Sequence, residues 1–463
     1  MTLGTGDDVV AVVRTVSDRR NKWAFGVGTI GRDMVYTLVS MFLVVYLTEV
    51  VNLPDAQLWW ATTLILAARL FDAVADIVMG AIVDNTRTRF GHYKPWIAGG
   101  ALASAIITTL LFTNLHLSGS AFVAVFACLY LLWSLSWTAN DIPYWSLLPA
   151  LTLDQKQRES YGALAKIFAT IGLFTVVVAI IPVTNALGGN VRAWTMFTIA
   201  VVVVMLLGQS VTLFGVREPD IVVGHERTTL KEIAGVVFHN DQLLWTAIAM
   251  VLFMTGYVTT TTFGVYFFKY VYRNENMYSP FAAVLGVAQL IGYATFPIFA
   301  KRMKRRTLYT LATALILAGY AVFFFSPMNM IPIGVAGLLL FLGQSWVTLL
   351  MLVFLTDTIE YGQWKLGRRN VAVTFALQPF INKVGAALAT QIVSVAVIIS
   401  GVNSAATPDD VTPGGLLIIK VAMLIVPPIL IIVGYLIYRA KYRIDEEMYA
   451  TLVSDLKERG QLR

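Results

Sequence analysis

The 463-residue chain is hydrophobic over 57% of its residues and charged over only 13%, with a formal net charge of +7 and a mean hydropathy of +0.72. Soluble domains carry about 25% charged residues, so this composition excludes an ordinary soluble enzyme and indicates a protein embedded in a membrane. Residues 1–22 are polar and do not resemble a signal peptide. We therefore expect the first apolar segment to be retained.

Apolar segments of membrane-spanning length follow one another along the chain. A transmembrane helix requires roughly 20 mostly apolar residues. Twelve segments meet that need: 23–51, 57–84, 95–115, 120–148, 160–184, 193–215, 241–271, 279–300, 307–326, 331–360, 370–400 and 415–438. The sequence thus predicts an all-α membrane protein with twelve transmembrane helices. The single cysteine, Cys128, lies in the fourth segment and is expected to be a small core residue.

The basic residues are unevenly shared between the two sides of the predicted membrane. With the N-terminus inside, 26 of the 34 Lys and Arg residues fall in inner loops or termini, and only Arg192 and Arg273 fall outside. Cytoplasmic loops carry such an excess, so both termini are predicted to be cytoplasmic and the positive charge calls for no nucleic-acid partner. Of the six cations within segments, Lys269 and Lys420 are near helix ends and are expected to snorkel.

The chain also repeats itself. Asp141 and Asp357 end corresponding segments 216 positions apart, and Lys166 and Lys383 are 217 apart. Two parallel six-helix halves are the architecture of the major facilitator superfamily, whose binding sites lie between the halves near the midplane. The predicted organisation is a cytoplasmic N-terminus 1–22, an N-terminal half 23–215, a cytoplasmic linker 216–240, a C-terminal half 241–438 and a cytoplasmic tail 439–463.

The second segment contains a charge cluster that an apolar helix would not normally hold. Asp72 and Asp76 are one helical turn apart, and Arg69 shares their face. One charge at mid-bilayer costs at least about 3 kcal/mol, so such residues usually bind or move something. Acids outnumber cations around this cluster, which favours a site for a monovalent cation or a shared proton. The alternative is a purely structural salt-bridge network.

Aromatic side chains share helices with these acids. They are Tyr36, Trp133, Trp137, Tyr144 and Trp145. Aromatic rings over an apolar sugar face, with carboxylates and a guanidinium on the hydroxyls, are a common way to bind a neutral polyol.

Five motifs together resemble one transporter family: GRD at 31–33, ARLFDAVAD at 68–76, TRTRFGHYKPW at 86–96, DIPYWS at 141–146 and DTIEYG at 357–362. They are similar to those of the melibiose-permease-like glycoside–pentoside–hexuronide:cation symporters of the major facilitator superfamily. The resemblance implies cation-coupled uptake of a glycoside by alternating access, with a galactoside-type di- or oligosaccharide as the first candidate. It implies no cofactor, a coupling ion that is Na⁺ or H⁺, a bacterial inner-membrane location and function as a monomer in the lipid bilayer.

The resemblance also implies roles for particular residues, position by position. Cation binding would fall to Asp72, Asp76 and Thr138. The sugar would be bound by Arg32, Asp33, Asp141, Trp145, Lys166 and Trp137. Contact and coupling between the halves would involve Lys383, Arg69 and Gln378. A cytoplasmic gate would use Asp84, Arg87, Glu159, Asp357, Glu360 and Arg369.

Two departures from the family pattern leave the ligands open. Ala75 stands where sodium-using relatives can place an Asn, which weakens the case for sodium and strengthens that for a proton. Lys166 replaces an expected Arg and exchanges a bidentate fork for a point charge, so the sugar preference can differ. A pentoside, a glucuronide or an amphipathic lipid are alternative substrates.

A non-transporting membrane sensor and a membrane-embedded enzyme are the rivals from other classes. No His residue lies deep in a segment, and neither HExxH nor GxSxG occurs in the sequence. We therefore expect the protein not to be an enzyme, and we expect no metal beyond Na⁺ at the cation site.

Overall fold

The computed structural model describes residues 18–86, 88–151, 155–217, 235, 238–367, 371–405 and 407–459, and its long elements are all helices. Helix α1, Asp18–Thr37, continues through a π-helical turn, Leu38–Phe42, into Leu43–Glu49. The rest of the first half comprises α2 Asp55–Asn85, α3 Lys94–Leu111, α4 Gly119–Leu151, α5 Gln155–Ala186 and α6 Val191–Gly215.

The second half begins in the same way. Helix α7, Asp241–Tyr266, also runs into a π-helical turn, Phe267–Val271. It is followed by α8 Tyr278–Ala300, α9 Arg305–Phe325, α10 Met330–Leu366 and α11 Val371–Ser400. Helix α12 consists of Pro413–Leu424 and Val426–Lys441, and a short helix, α13 Glu446–Glu458, closes the described chain.

Several helix boundaries are explained by individual residues. The side chains of Asn190 and Asn240 cap the first turns of α6 and α7 by accepting hydrogen bonds from the backbone N–H of Ala193 and Leu243. Helix α10 ends at Gly367, which has a left-handed backbone (φ 71°) that glycine adopts without steric strain.

Eleven helices of the described chain are long and apolar enough to cross a membrane. The second predicted segment, 57–84, is not among these eleven, although it lies in the 31-residue helix α2. Arg69 and Asp72, in the charge cluster of α2, are each only 3% exposed. These charges face protein rather than lipid, which is where charges inside a membrane protein are normally found.

The helix packing repeats between the halves and confirms the predicted 6+6 architecture. Helix α1 packs on α5 and α6 as α7 packs on α11 and α12, and the α3–α4 pair corresponds to the α9–α10 pair. The halves meet chiefly where α2 packs on α11 and α5 on α8. Any site between the halves is therefore walled by those four helices together with α1 and α7.

The lipid-facing surface contains one residue that was expected in the core. Cys128 is exposed on α4, and so are Leu131, Leu132 and Leu135 further along the same helix. The expectation of a buried cysteine is wrong because an apolar segment does not show which of its faces meets lipid.

The two halves are joined at the end of the bundle opposite the termini. The Thr48 and Tyr266 hydroxyls are 2.6 Å apart, where α1 meets α7. The Glu49 carboxylate accepts hydrogen bonds from the Lys269 ammonium and, at 2.7 Å, from the Tyr270 hydroxyl. Lys269, expected to snorkel to water, is instead bound by a carboxylate of the other half.

Further contacts join the halves at the same end. Asn403 donates to the carbonyl of Leu53 at 2.6 Å and to Asp55 at 2.8 Å, and Asn185 donates to Glu275 at 2.7 Å. These hydrogen bonds hold this end closed in the conformation described.

Candidate functional site

Four oxygen-bearing side chains meet where α2 packs against α4. The Thr138 hydroxyl donates to Asp76 Oδ1 at 3.0 Å, and the Ser134 hydroxyl donates to Asp72 Oδ1. Asp72 is 3% exposed and the side chain of Asp76 is 17% exposed. Two carboxylates and two hydroxyls thus form an oxygen-rich cluster, which we call the carboxylate cage. In the described ranges no group of three or more His, Cys, Asp and Glu residues could hold a metal ion.

Ser134 is a member of the carboxylate cage that the sequence interpretation missed. It precedes Thr138 by four residues, the spacing that also separates Asp72 from Asp76, so matching pairs face each other on α4 and α2. Ala75 is buried nearby and brings no ligand oxygen. The shared spacing was visible in the sequence, but the register between two helices was not.

Two cations from different halves face the carboxylate cage. The Lys383 ammonium on α11 donates to Asp76 Oδ2 at 2.6 Å and lies 4.0 Å from Asp72 Oδ2. Arg69 Nη1 is 3.9 Å from Asp72 Oδ2. The positively charged ammonium of Lys383 therefore lies beside both carboxylates, where a bound cation would also lie. Gln378 is half-buried on the same helix, and no hydrogen bond joins it to these four residues within the described chain.

A second polar cluster lies where α1 meets α4 and α5. Arg32 forms an ion pair with Asp141 and donates from Nε to Asn140 Oδ1 at 2.9 Å. Asp33 interacts electrostatically with Arg32, Lys166 and Asp141. Opposite charges and amide oxygens are thus concentrated between three helices of the first half.

Aromatic rings surround the charges of this second cluster. The Arg32 guanidinium lies 4.2 Å from the ring centroid of Tyr144, 5.6 Å from that of Trp137 and 5.8 Å from that of Trp145. The Lys166 ammonium is 5.2 Å from the Trp145 centroid. We call this group, with Asp33, Asp141 and Asn140, the polar-aromatic site. It combines ring faces with donors and acceptors that suit a molecule bearing many hydroxyl groups.

One donor in the polar-aromatic site lacks a partner. Arg32 is 1% exposed, and its Nη1 has no hydrogen-bond acceptor among the described residues. Buried donors are normally satisfied, so an unpaired guanidinium nitrogen here is a candidate for hydrogen bonding to a ligand.

An aromatic wall connects the carboxylate cage to the polar-aromatic site. The Trp137 centroid is 5.5 Å from that of Tyr36 and 5.8 Å from that of Trp133. Arg69 lies 5.5 Å from both Tyr36 and Trp133, on the side of the cage. Arg32 contacts the other end of the wall through Trp137. A shift of either guanidinium would therefore alter its contacts with this aromatic wall.

The residues predicted to form a cytoplasmic gate are only partly described. Arg87 and Arg369, and the side chains of Asp84 and Glu159, lie outside the described residues. Asp357 is bound within its own half, by Arg305 and by the Tyr442 hydroxyl at 3.2 Å. Glu360 is buried. A gating role for these residues stays a prediction.

Comparison with known proteins finds a family match over most of the chain and two similar sugar carriers. A family model described as MFS/sugar transport protein matches residues 24–446. A lactose permease of Leuconostoc lactis is 29% identical over 94% of this chain and 71% of its own length. A raffinose carrier protein of Pediococcus pentosaceus is 28% identical over 94% of this chain and 70% of its own.

Among solved structures, a mutant of the nucleoside transporter NupG superimposes with a TM-score of 0.66 at 14% identity. The match covers 91% of this chain and 100% of that one. At that identity the likeness concerns the fold alone.

Proposed function

Because this chain belongs to the MFS/sugar transport protein family, we propose that it is a multi-pass membrane symporter that takes up a glycoside together with a cation by alternating access. Its relatives are permeases and carriers, so it is a transporter rather than an enzyme or a sensor. We propose a galactoside-type di- or oligosaccharide as the substrate, in line with the lactose and raffinose named for those relatives. All the candidate site residues belong to one chain, which favours function as a monomer.

The observation that carries this proposal is the pair of polar sites joined by one aromatic wall. The polar-aromatic site would bind the sugar through Arg32, Asp33, Asp141, Lys166 and the Trp145 ring. Arg32 Nη1 brings the unpaired donor, and the carboxylates accept hydrogen bonds from hydroxyls. A charged wall of this kind is poorly suited to an amphipathic lipid.

The carboxylate cage would bind the coupling ion. Its carboxylate and hydroxyl oxygens are hard ligands that suit Na⁺. Its two acids, one helical turn apart, equally allow a proton to be shared because both ionise together with difficulty. Ser134 supplies an oxygen that partly replaces the one Ala75 lacks, so sodium remains a full candidate.

Coupling would arise in two ways. A bound cation competes with the Lys383 ammonium for the cage, and the cage is connected to the sugar site by the aromatic wall. A cation in the cage displaces the Lys383 ammonium from Asp76 and loosens the contact of α11 with α2. It also changes the charge seen by Arg69, which touches the aromatic wall. Each ligand then favours binding of the other by the same free energy, typically about 1–3 kcal/mol.

The closed end of the bundle indicates which side of the membrane this conformation opens towards. With both termini in the cytoplasm, as the charge distribution predicts, the end held by Glu49, Lys269 and Thr48 is the outer one. We therefore propose that the structure represents an inward-facing state.

The test is calorimetric binding of a glycoside panel to the purified protein at several Na⁺ concentrations and pH values. The panel contains lactose, raffinose, a pentoside and a glucuronide. We expect saturable binding of a galactoside whose affinity depends on Na⁺ or on pH. Binding of no member of the panel, or an affinity indifferent to both ions, would contradict the proposal.

A further inference from the structure

A neutral polar cluster in the second half lies outside every site described above. It consists of Tyr257 on α7 with Gln289 and Tyr293 on α8. Gln289 Nε2 donates to the Tyr293 hydroxyl at 3.1 Å, and the Tyr257 phenol interacts with both residues. Polar side chains inside a membrane bundle face the bundle interior or a water-filled cavity and mark ligand pathways.

The cluster faces the first half rather than lipid. On α8, a Cβ placed on Gly286 would lie 3.0 Å from the Phe174 ring of α5, so this face of α8 meets α5. Gln289 and Tyr293 follow Gly286 by three and seven residues, spacings that keep all three residues on one side of a helix. The exposed residues Val287 and Ile291 lie on another side of α8.

Tyr257 faces the first half as well. It lines a cavity of about 40 Å³ whose walls come from both halves, including Met41 of α1 and Phe174 of α5. Within the second half, its ring lies 5.9 Å from that of Phe341. The phenol is thus held at the boundary between the halves.

Helix geometry places the cluster at the depth of the polar-aromatic site. Starting from the Gly286–Phe174 contact, Tyr293 is seven residues further from the closed end along α8, or ~10.5 Å at 1.5 Å per residue. Lys166 is eight residues further from the same end along α5, or ~12 Å. The Tyr293 phenol and the Lys166 ammonium therefore belong to the same level of two facing helices.

The turn of α8 that carries Gln289 is held by the second half itself. The Ser345 hydroxyl of α10 donates to the backbone carbonyl of Gln289 at 3.2 Å and fixes that turn of α8. The cluster offers two phenol hydroxyls, an amide donor and an amide acceptor, with no net charge. This chemistry suits sugar hydroxyls and an apolar sugar face, and not an ion.

We propose that Tyr257, Gln289 and Tyr293 form a subsite for the second sugar ring of a glycoside whose first ring occupies the polar-aromatic site. This inference rests on the proposed function. The charged first-half wall would fix one ring, while the neutral second-half wall selects molecules long enough to span both. The cluster is then the determinant of disaccharide over monosaccharide binding.

The experiment compares methyl β-galactoside with lactose and raffinose, by calorimetry on the purified full-length protein. Gln289→Ala removes a side chain that can make two hydrogen bonds, so we expect about a tenfold weaker affinity for lactose. Tyr293→Phe keeps the ring and removes one hydroxyl, so we expect about a threefold loss. The affinity for methyl β-galactoside should stay within about twofold in both variants, because that ligand does not reach the subsite.

Gln391→Ala is the matched control. Gln391 lies on α11 in a groove lined by apolar residues such as Ile392 and Leu417, away from the cluster. That variant should bind all three sugars as the wild type does.

The outcomes separate this inference from the function on which it rests. If the wild-type protein binds none of the three sugars, the proposed function falls and the subsite with it. If the wild type binds them but both variants lose methyl β-galactoside and lactose equally, the cluster has a structural role and the subsite is refuted. Unchanged lactose and raffinose affinities in both variants would also refute it.

Discussion

Lys383 should compete with the coupling ion for the carboxylate cage. Its ammonium lies 2.6 Å from Asp76 Oδ2 and 4.0 Å from Asp72 Oδ2. A second positive charge about 4 Å away would be opposed by about 4 kcal/mol at an effective dielectric constant near 20. The long side chain can retract, so we expect about half of that opposition, ~2 kcal/mol, to appear in the ion affinity.

Lys383→Met removes this competitor and keeps much of the side-chain volume. We therefore expect the Na⁺ concentration that half-maximally enhances sugar binding to fall about 30-fold, which corresponds to about 2 kcal/mol. If the ion is a proton, loss of the nearby positive charge favours the protonated cage. The pH at which sugar affinity is half-maximal should then rise by about 1.5 units.

The assay is calorimetric sugar titration at graded Na⁺ concentrations and pH values. Lys420→Met is the matched control, because Lys420 is also a lysine within a helix of the second half but lies 4.6 Å from the Phe324 ring. Its ion dependence should match the wild type. An unchanged or weaker ion dependence in Lys383→Met would refute the competition.

Three further changes test other parts of the molecule. Ser134→Ala should weaken Na⁺ affinity about tenfold while leaving sugar affinity at saturating ion unchanged, since the cage loses one ligand oxygen; Na⁺ titration followed by sugar binding measures this, and no change would remove Ser134 from the cage. Asp141→Asn should abolish sugar binding, because the partner of Arg32 loses its charge, and a wild-type sugar affinity in calorimetry would exclude it from the site. Glu49→Gln should loosen the closed end, so that an impermeant maleimide reacts with a cysteine replacing Thr48 about tenfold faster; an equal rate would show that the ion pair does not hold the end closed.

Much of the fold could be predicted because it depends on properties that one sequence displays. Apolar length predicted twelve spans, of which eleven in the described chain are long and apolar enough to cross a membrane, and corresponding charged residues in the two halves revealed the repeat. The same reasoning placed Cys128 in the core and was wrong, since lipid and protein interiors are equally apolar. Asp72, Asp76 and Thr138 could be predicted as site residues because charge and resemblance single them out.

The remaining residues could not be found because their significance depends on register and packing. Ser134 matters only once α4 is set against α2, and Lys269 only once Glu49 is brought from the other half. The cluster around Gln289 escaped because neutral polar side chains in an apolar segment do not stand out. Contacts between halves are the least visible property of a sequence with an internal repeat.

Gradient-driven accumulation of lactose in proteoliposomes tests the central claim most directly. The wild-type protein should concentrate labelled lactose above the outside level under an inward Na⁺ gradient or an inward proton gradient. Asp72→Asn should lose that accumulation while still exchanging internal for external lactose. Accumulation under neither gradient in the wild type, or undiminished accumulation in Asp72→Asn, would contradict coupling at the carboxylate cage.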